Sequence, residues 1–328
     1  MRYDLPVINK YARLGGVALA VLGGSGVAAQ SRINGALAGR LHSGVAAAVV
    51  SFGSGLIILS AALLFLPAAR TGLARVRTLL RKGDLRWWEC FGGACGAFLV
   101  ASQGLTVGSL GVALFTVAIV AGQSVSSLLV DRAGLAPGGP RPITLTRAVG
   151  TALTVAAVVL AVSGRLSTPG ALGLAVLPVL AGAGSAWQQA MNGRVRQVSE
   201  DVVSTTFINF IVGTVALLIT FAIWSAVQGP PTGSLPGEPW YYVGGTLGII
   251  FIAIAAALVR HIGVLLLGLG MIAGQVGGAV LLDVVAPAGS EHLDAATLAG
   301  AALTLVAVAV AAIPRVPRRT PPGAPQDA

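Results

Sequence analysis

The chain has 328 residues, of which 55% are apolar and only 10% charged, and its mean hydropathy is +0.86. That composition lies far outside the range of soluble globular proteins, so water is excluded as the main solvent. The net charge of +10 would suit nucleic acid, but the basic residues sit in short clusters between hydrophobic stretches, where they orient helices against an anionic leaflet.

A hydrocarbon core about 30 Å thick needs about 20 apolar residues per helical span. Runs free of Asp, Glu, Lys and Arg cover 14–31, 43–69, 90–130, 148–164, 166–193, 202–237, 239–259, 261–282 and 295–314. The third is long enough for two spans, with Gly108-Ser109-Leu110-Gly111 as a tight reversal. Ten spans follow, at about 14–38, 44–66, 88–108, 110–130 and 147–164, then 171–193, 202–224, 240–259, 262–282 and 295–313. Barrel strands would alternate strictly over about 10 residues and these runs do not, so the expected fold class is an all-α integral membrane protein. Residues 1–13 are expected to be a cytoplasmic lead-in, and 314–328, rich in Pro and Arg, a disordered cytoplasmic tail. The stretch Gln228 to Pro239 is expected to be a largely disordered outer loop. Val27-Ala28-Ala29 resembles a signal-peptide cleavage site, but residues 24–35 recur in mid-chain, where no signal peptide can stand.

That recurrence runs through the whole chain. Gly24, Gly26, Gln30, Asn34 and Gly35 match Gly182, Gly184, Gln188, Asn192 and Gly193 at a constant offset of 158, and Phe52 and Gly55 match Phe210 and Gly213. After a six-residue difference in loop length, Trp88, Gly92, Gly93, Gly96, Gly111, Gln123 and Asp131 fall on Trp240, Gly244, Gly245, Gly248, Gly263, Gln275 and Asp283. Residues 14–164 and 165–313 are thus two copies of a five-helix unit. An odd number of spans per copy makes the second enter the bilayer from the opposite side. With the N-terminus inside, 18 of the 21 Lys and Arg fall on the inner side, leaving Arg32, Arg40 and Arg165 outside. The positive-inside bias therefore puts both termini in the cytoplasm.

Side-chain amides inside spans need partners within the protein. Gln30 and Asn34 are four apart on one helix face, as are Gln188 and Asn192. By depth, Gln30, Asn34, Ser51 and Gln275 form an outer polar layer and Gln188, Asn192, Asn209 and Gln123 an inner one. Two readings stand: the layers bracket a midplane substrate cavity and act as gates, or they are interhelical glue worth about 0.6 kcal/mol per bond. Arg32, opposite Ala190 in the other copy, either snorkels to the outer interface or meets an anionic substrate. Trp187 either packs or stacks on a substrate ring. Glu89 reads as interfacial, Asp131 and Asp283 as solvated helix ends, and His261 as an interfacial residue or weak proton carrier. Cys90 and Cys95 read as small packing residues. No metal cluster, nucleophile triad, phosphate loop or paired carboxylate occurs, so neither enzyme nor cofactor is expected.

The Gly-rich first helix running into Gln-x-x-x-Asn-Gly, the Ser/Asn-Phe pair of the second and the Gly-Gln of the fourth, each present twice, resemble the YdcZ-type family of the drug/metabolite transporter superfamily. The resemblance implies a bacterial inner-membrane exporter of small solutes by alternating access, with no catalytic residues. The small multidrug resistance relatives within the superfamily carry a Glu in the first helix, and this chain has none there. The expected partners are the lipid bilayer and a small-molecule substrate, not nucleic acid, and oligomeric state stays open. A lipid or lipid-linked carrier flippase and a nontransporting scaffold are the alternatives. Reporters fused at Arg70 and at Pro230 are expected to lie in opposite compartments; finding them in the same one would refute the inverted repeat.

Overall fold

The computed structural model describes residues 10–136, 139–140, 142–163, 169–286 and 293–311. The expectations placed on 1–9, Arg141, Arg165 and the basic tail lie outside the described residues, as do the side chains of Arg260 and His261. The helices are α1 (Lys10–Leu41), α2 (Gly44–Phe65), α3 (Pro67–Lys82), α4 (Gly92–Arg132), α5 (Leu145–Ser163), α6 (Pro169–Ser199), α7 (Val202–Gln228), α8 (Gly244–Val285) and α9 (Ala295–Ala311), with short 3-10 turns at Trp87–Cys90 and Pro239–Tyr242. Among the described residues no strand occurs. Six helices are long and apolar enough to cross a membrane, and Gly244–Ile254 and Ala295–Ala311 are shorter apolar ones.

Helix starts obey the repeat. Ser43 accepts from the Ala46 amide at 3.2 Å to cap α2, and Asp201, its mate, accepts from the Ser204 amide at 2.7 Å to cap α7. Such side chains satisfy amides that a helix leaves without an internal partner. Thr144 and its mate Asp294 do the same for α5 and α9.

Two of the helices are folded back on themselves. In α4 the backbone leaves helical geometry at Gly111 (φ 77°, ψ 164°), a conformation that L side chains disfavour. The carboxylate of Asp283, at the end of α8, accepts from the freed amides of Val112 (3.0 Å) and Ala113 (2.6 Å). Asp283 is therefore not a solvated helix end: negative charge is favoured at the positive end of the second arm. Its mate Asp131 is also engaged, in an ion pair with Arg147 at 2.5 Å. In α8, Ile254 and Met271 both lie against Gly23, at 3.3 and 3.2 Å from where a Cβ would stand. A straight helix would separate residues seventeen apart by about 25 Å, so this element too reverses.

The halves interlock through their first helices. A Cβ on Gly24 of α1 would overlap the Met271 carbonyl of α8, and one on Gly274 would overlap that of Val21; in mirror fashion Gly182 of α6 abuts the Ile119 carbonyl of α4, and Gly122 that of Val179. Helices α5 and α9 meet the same way, Gly150 against the Ala307 carbonyl and Gly300 against that of Ala157, both 2.7 Å. α2 meets α7 where Gly55 faces Phe210 and Gly213 faces Phe52.

The halves differ most between their second and third helices. The first has α3, whose exposed face carries Arg70, Arg77 and Arg81 and whose buried face is Ala69, Gly72 and Val76. It ends at Gly83 (φ 81°), and Arg75 pairs with Glu200. The second has the segment 229–238 instead. This is an ordered strap, not the disordered loop its composition suggests: the Gly233 amide donates to the Leu41 carbonyl at 3.3 Å and Tyr242 donates to the Pro236 carbonyl at 2.6 Å. Its own backbone groups bind the end of α1, which hydropathy cannot register.

Substituting Gly122 or Gly274 by alanine is expected to destabilise the protein by about 1–3 kcal/mol or more through overpacking. Gly26→Ala, where nothing lies within 4 Å of the added carbon, should be neutral or slightly stabilising. Thermal unfolding in detergent distinguishes the two.

Candidate functional site

The amides converge between the halves. Gln30 on α1 donates through Nε2 to the Gly244 carbonyl at the start of α8, at 2.8 Å, and Gln188 on α6 donates to Asn209 Oδ1 on α7, at 3.0 Å. Each lies against a glycine of the facing helix, Gln30 on Gly248 and Gln188 on Gly96. The missing side chain is what lets an amide reach that backbone. Between them is a cavity of about 150 Å³, room for several waters or one small solute.

The lining follows the repeat: Gln30 with Gln188, Gln123 with Gln275, Gly96 with Gly248, Leu99 with Phe251, and Phe52 with Phe210 all contribute. Phe52 and Phe210 touch each other across the seam, with ring centroids 4.9 Å apart and planes tilted by 33°. Among the described lining residues none is Asp, Glu, Lys, Arg or His. An ion entering would lose hydration with no opposite charge to replace it, so the cavity favours solutes without net charge that carry hydrogen-bonding groups and an apolar part.

Of the residues singled out by sequence, Gln30, Gln123, Gln188, Asn192, Asn209 and Gln275 line the cavity. Asn34 and Ser51 stand behind the wall, where Asn34 Oδ1 and Ser51 Oγ converge on Gly244 and neither atom has a hydrogen-bond partner. Trp187 faces Trp88, ring centroids 6.2 Å apart, outside the lining. Arg32 is half-buried, and it too is absent from the lining.

Gln189, another span amide expected to face the interior, joins the lining although it is exposed on α6. One contributor escaped the sequence reading of the site. Gln103, fully buried in the first arm of α4, accepts from Asn34 Nδ2 at 2.6 Å and donates to Ser31 Oγ at 3.0 Å. Its mate is Ala255, so comparing the halves passes over it. Its position inside a charge-free run was the available signal, because an amide there must find partners.

Exposure is unequal at the two ends. Gln30, Asn34, Ser51, Gln103 and Gln275 are buried, as is Asn209, whereas Gln123, Gln188 and Asn192 are half-buried and Gln189 is exposed. The amides carried by α6 are thus more exposed than those carried by α1. Beyond the α1 amides, Arg40 donates to the Tyr241 hydroxyl at 3.0 Å. At the opposite end Glu89, the mate of Tyr241, pairs with Arg194 at 3.2 Å and accepts from the Arg86 amide at 2.7 Å. Glu89, expected at the interface, is only 7% exposed and serves as the buried partner of this ion pair. In each half the same position ties down the first helix of the other.

A helical membrane bundle with an uncharged polar cavity at the seam of two like halves is the architecture of a solute-transport protein. The family profile described as "Putative inner membrane exporter, YdcZ" matches residues 15–160 and again 173–310. The chain belongs to that family as a tandem of two units. A solved crystal structure is similar in fold, with 20% identity over 92% of this chain and 97% of that one and a TM-score of 0.52. None of the curated proteins matches by sequence.

Gln103→Leu should lower stability by about 1–3 kcal/mol, because it strands a buried amide. Replacing Asn34 and Gln103 together by leucine should cost less than the single change, since both partners leave at once. Chemical or thermal unfolding of the two variants checks the order.

Proposed function

We propose that the protein is a secondary transporter that moves a small, net-neutral polar or amphipathic metabolite or drug outward across the bacterial inner membrane by alternating access. In this reading the chain crosses the bilayer ten times, with α4 and α8 each crossing twice, and residues 14–164 and 165–313 are units of opposite orientation. Both termini and α3 lie on the cytoplasmic side, where the basic residues concentrate.

The single observation that carries the reading is the cavity's position and chemistry. It lies on the seam between inverted copies, where rocking of one copy against the other exposes a fixed site to each side in turn. Its amides can trade hydrogen bonds among themselves for hydrogen bonds to a solute. The export direction rests on the family. Among the described lining residues none is Asp, Glu, His, Lys or Arg, which suits a net-neutral solute.

A growth and uptake screen of a deletion strain supplies the compound, and Gln30→Ala and Gln188→Ala then test the site. Transport per molecule should fall about tenfold in each, the worth of one well-made hydrogen bond. If transport declines only as far as protein abundance declines, the amides are packing groups and the reading is wrong.

A further inference from the structure

Gln30 and Gln188 occupy the same position in the two copies, yet they do different things. Gln30 holds a backbone carbonyl, that of Gly244, and leaves the hydroxyl of Ser51 buried without a partner. Gln188 holds a side chain, Asn209 Oδ1, although Gly92, the mate of Gly244, also lies against the Gln188 turn of α6. Ser51 and Asn209 are themselves mates at the offset of 158. Each copy therefore contains the same two acceptors for one amide, a helix carbonyl and a polar side chain, and the copies have chosen opposite ones.

The choice follows the exposure of the amide. Gln30, which holds the carbonyl, is 8% exposed, and Gln188, which holds the side chain, is half-buried, while the paired side chains Ser51 and Asn209 are both buried, at 1% and 2%. In a switch built on this difference, the copy with the more exposed glutamine is the open one. Both amides lie against the glycine one turn beyond the carbonyl in question, Gly248 or Gly96, so a change of side-chain torsion and a small helix shift exchange one acceptor for the other.

We infer that Gln30 and Gln188 are the two throws of one hydrogen-bond switch, and that the opposite-facing state is reached by exchanging their partners: Gln30 moves to Ser51 while Gln188 moves to the Gly92 carbonyl. In that state the orphaned Ser51 hydroxyl gains its partner, which accounts for a polar group buried unpaired in the state seen here. The exchange conserves the number of amide hydrogen bonds, so the two states stay close in free energy, as a carrier requires. The chain Asn34, Gln103 and Ser31 cannot be copied in the second half, where Gln103 is replaced by Ala255 and Ser31 by Gln189. That lock is available to the α1 end alone and biases the resting protein toward the arrangement seen here.

The inference rests on the transporter reading, and its test separates the two. With Cys90 and Cys95 replaced by alanine, a single cysteine is placed at Val27 or at its mate Ser185, both in the lining. Labelling by a membrane-impermeant maleimide is then measured in right-side-out and in inverted vesicles. Asn209→Ala removes the acceptor used in the present state and should shift the labelling ratio roughly two- to threefold toward the α1 side, the worth of one bond in a bilayer protein. Ser51→Ala removes the acceptor used only in the other state and should shift it the opposite way. Asn209→Leu, which removes the acceptor but keeps the side-chain volume on α7, covers a failure of the alanine variant to fold and should shift as Asn209→Ala does. Shifts in the same direction, or none, overturn the switch while leaving the carrier intact. Labelling of the parent protein from one side only overturns both.

Discussion

Apolar side chains gain little by leaving lipid for the interior of a membrane protein, so close backbone contact and polar groups with nowhere else to go must hold the helices together. In this chain the constraint is met where α1 lies on α8 and α6 lies on α4. The contacts are made by glycines whose neighbours are carbonyl oxygens, and each joins one half of the molecule to the other. Neither half completes its own packing, because its first helix is seated in its partner. The cavity exists because these two seatings face each other across a seam lined by amides.

The same interlock explains why the amides are placed as they are. An amide on α1 or α6 meets the facing helix at a glycine, Gly248 or Gly96, where backbone is within reach. Helix ends are handled across the seam as well. The break at Gly111 belongs to the first copy, but the carboxylate that satisfies its amides, Asp283, belongs to the second. The terminal ties follow suit, with Glu89 holding Arg194 and Tyr241 holding Arg40. In the proposed mechanism, motion of one copy against the other would act on these contacts together.

The repeat is imperfect in ways that bear on the proposed function. In the carrier reading, two ends of identical strength would leave no preferred orientation at rest. Gln103 opposite Ala255, Ser31 opposite Gln189, and the 229–238 strap opposite α3 make the α1 end the tighter one. The absence of charge from the described lining fits the proposal of a small neutral solute better than an ion.

Much of this was legible without coordinates. Hydropathy alone gives a helical membrane protein, because bilayer thickness dictates the length of an apolar run. The two-copy organisation was readable because glycines and amides tolerate few substitutes where backbones touch. Six of the nine uncharged positions first singled out line the cavity for the same reason: an amide in a span must point inward. The remaining features depend on contacts between residues far apart in sequence. Only the folded chain shows that Asp283 caps a helix 170 residues earlier, that Gln103 completes a network with Asn34, or that a Gly- and Pro-rich loop is strapped to α1. Hydropathy and local spacing record what each segment wants from its solvent. Which partner satisfies a buried polar group, and which of two identical amides takes a carbonyl and which a side chain, is decided by how the copies are seated together.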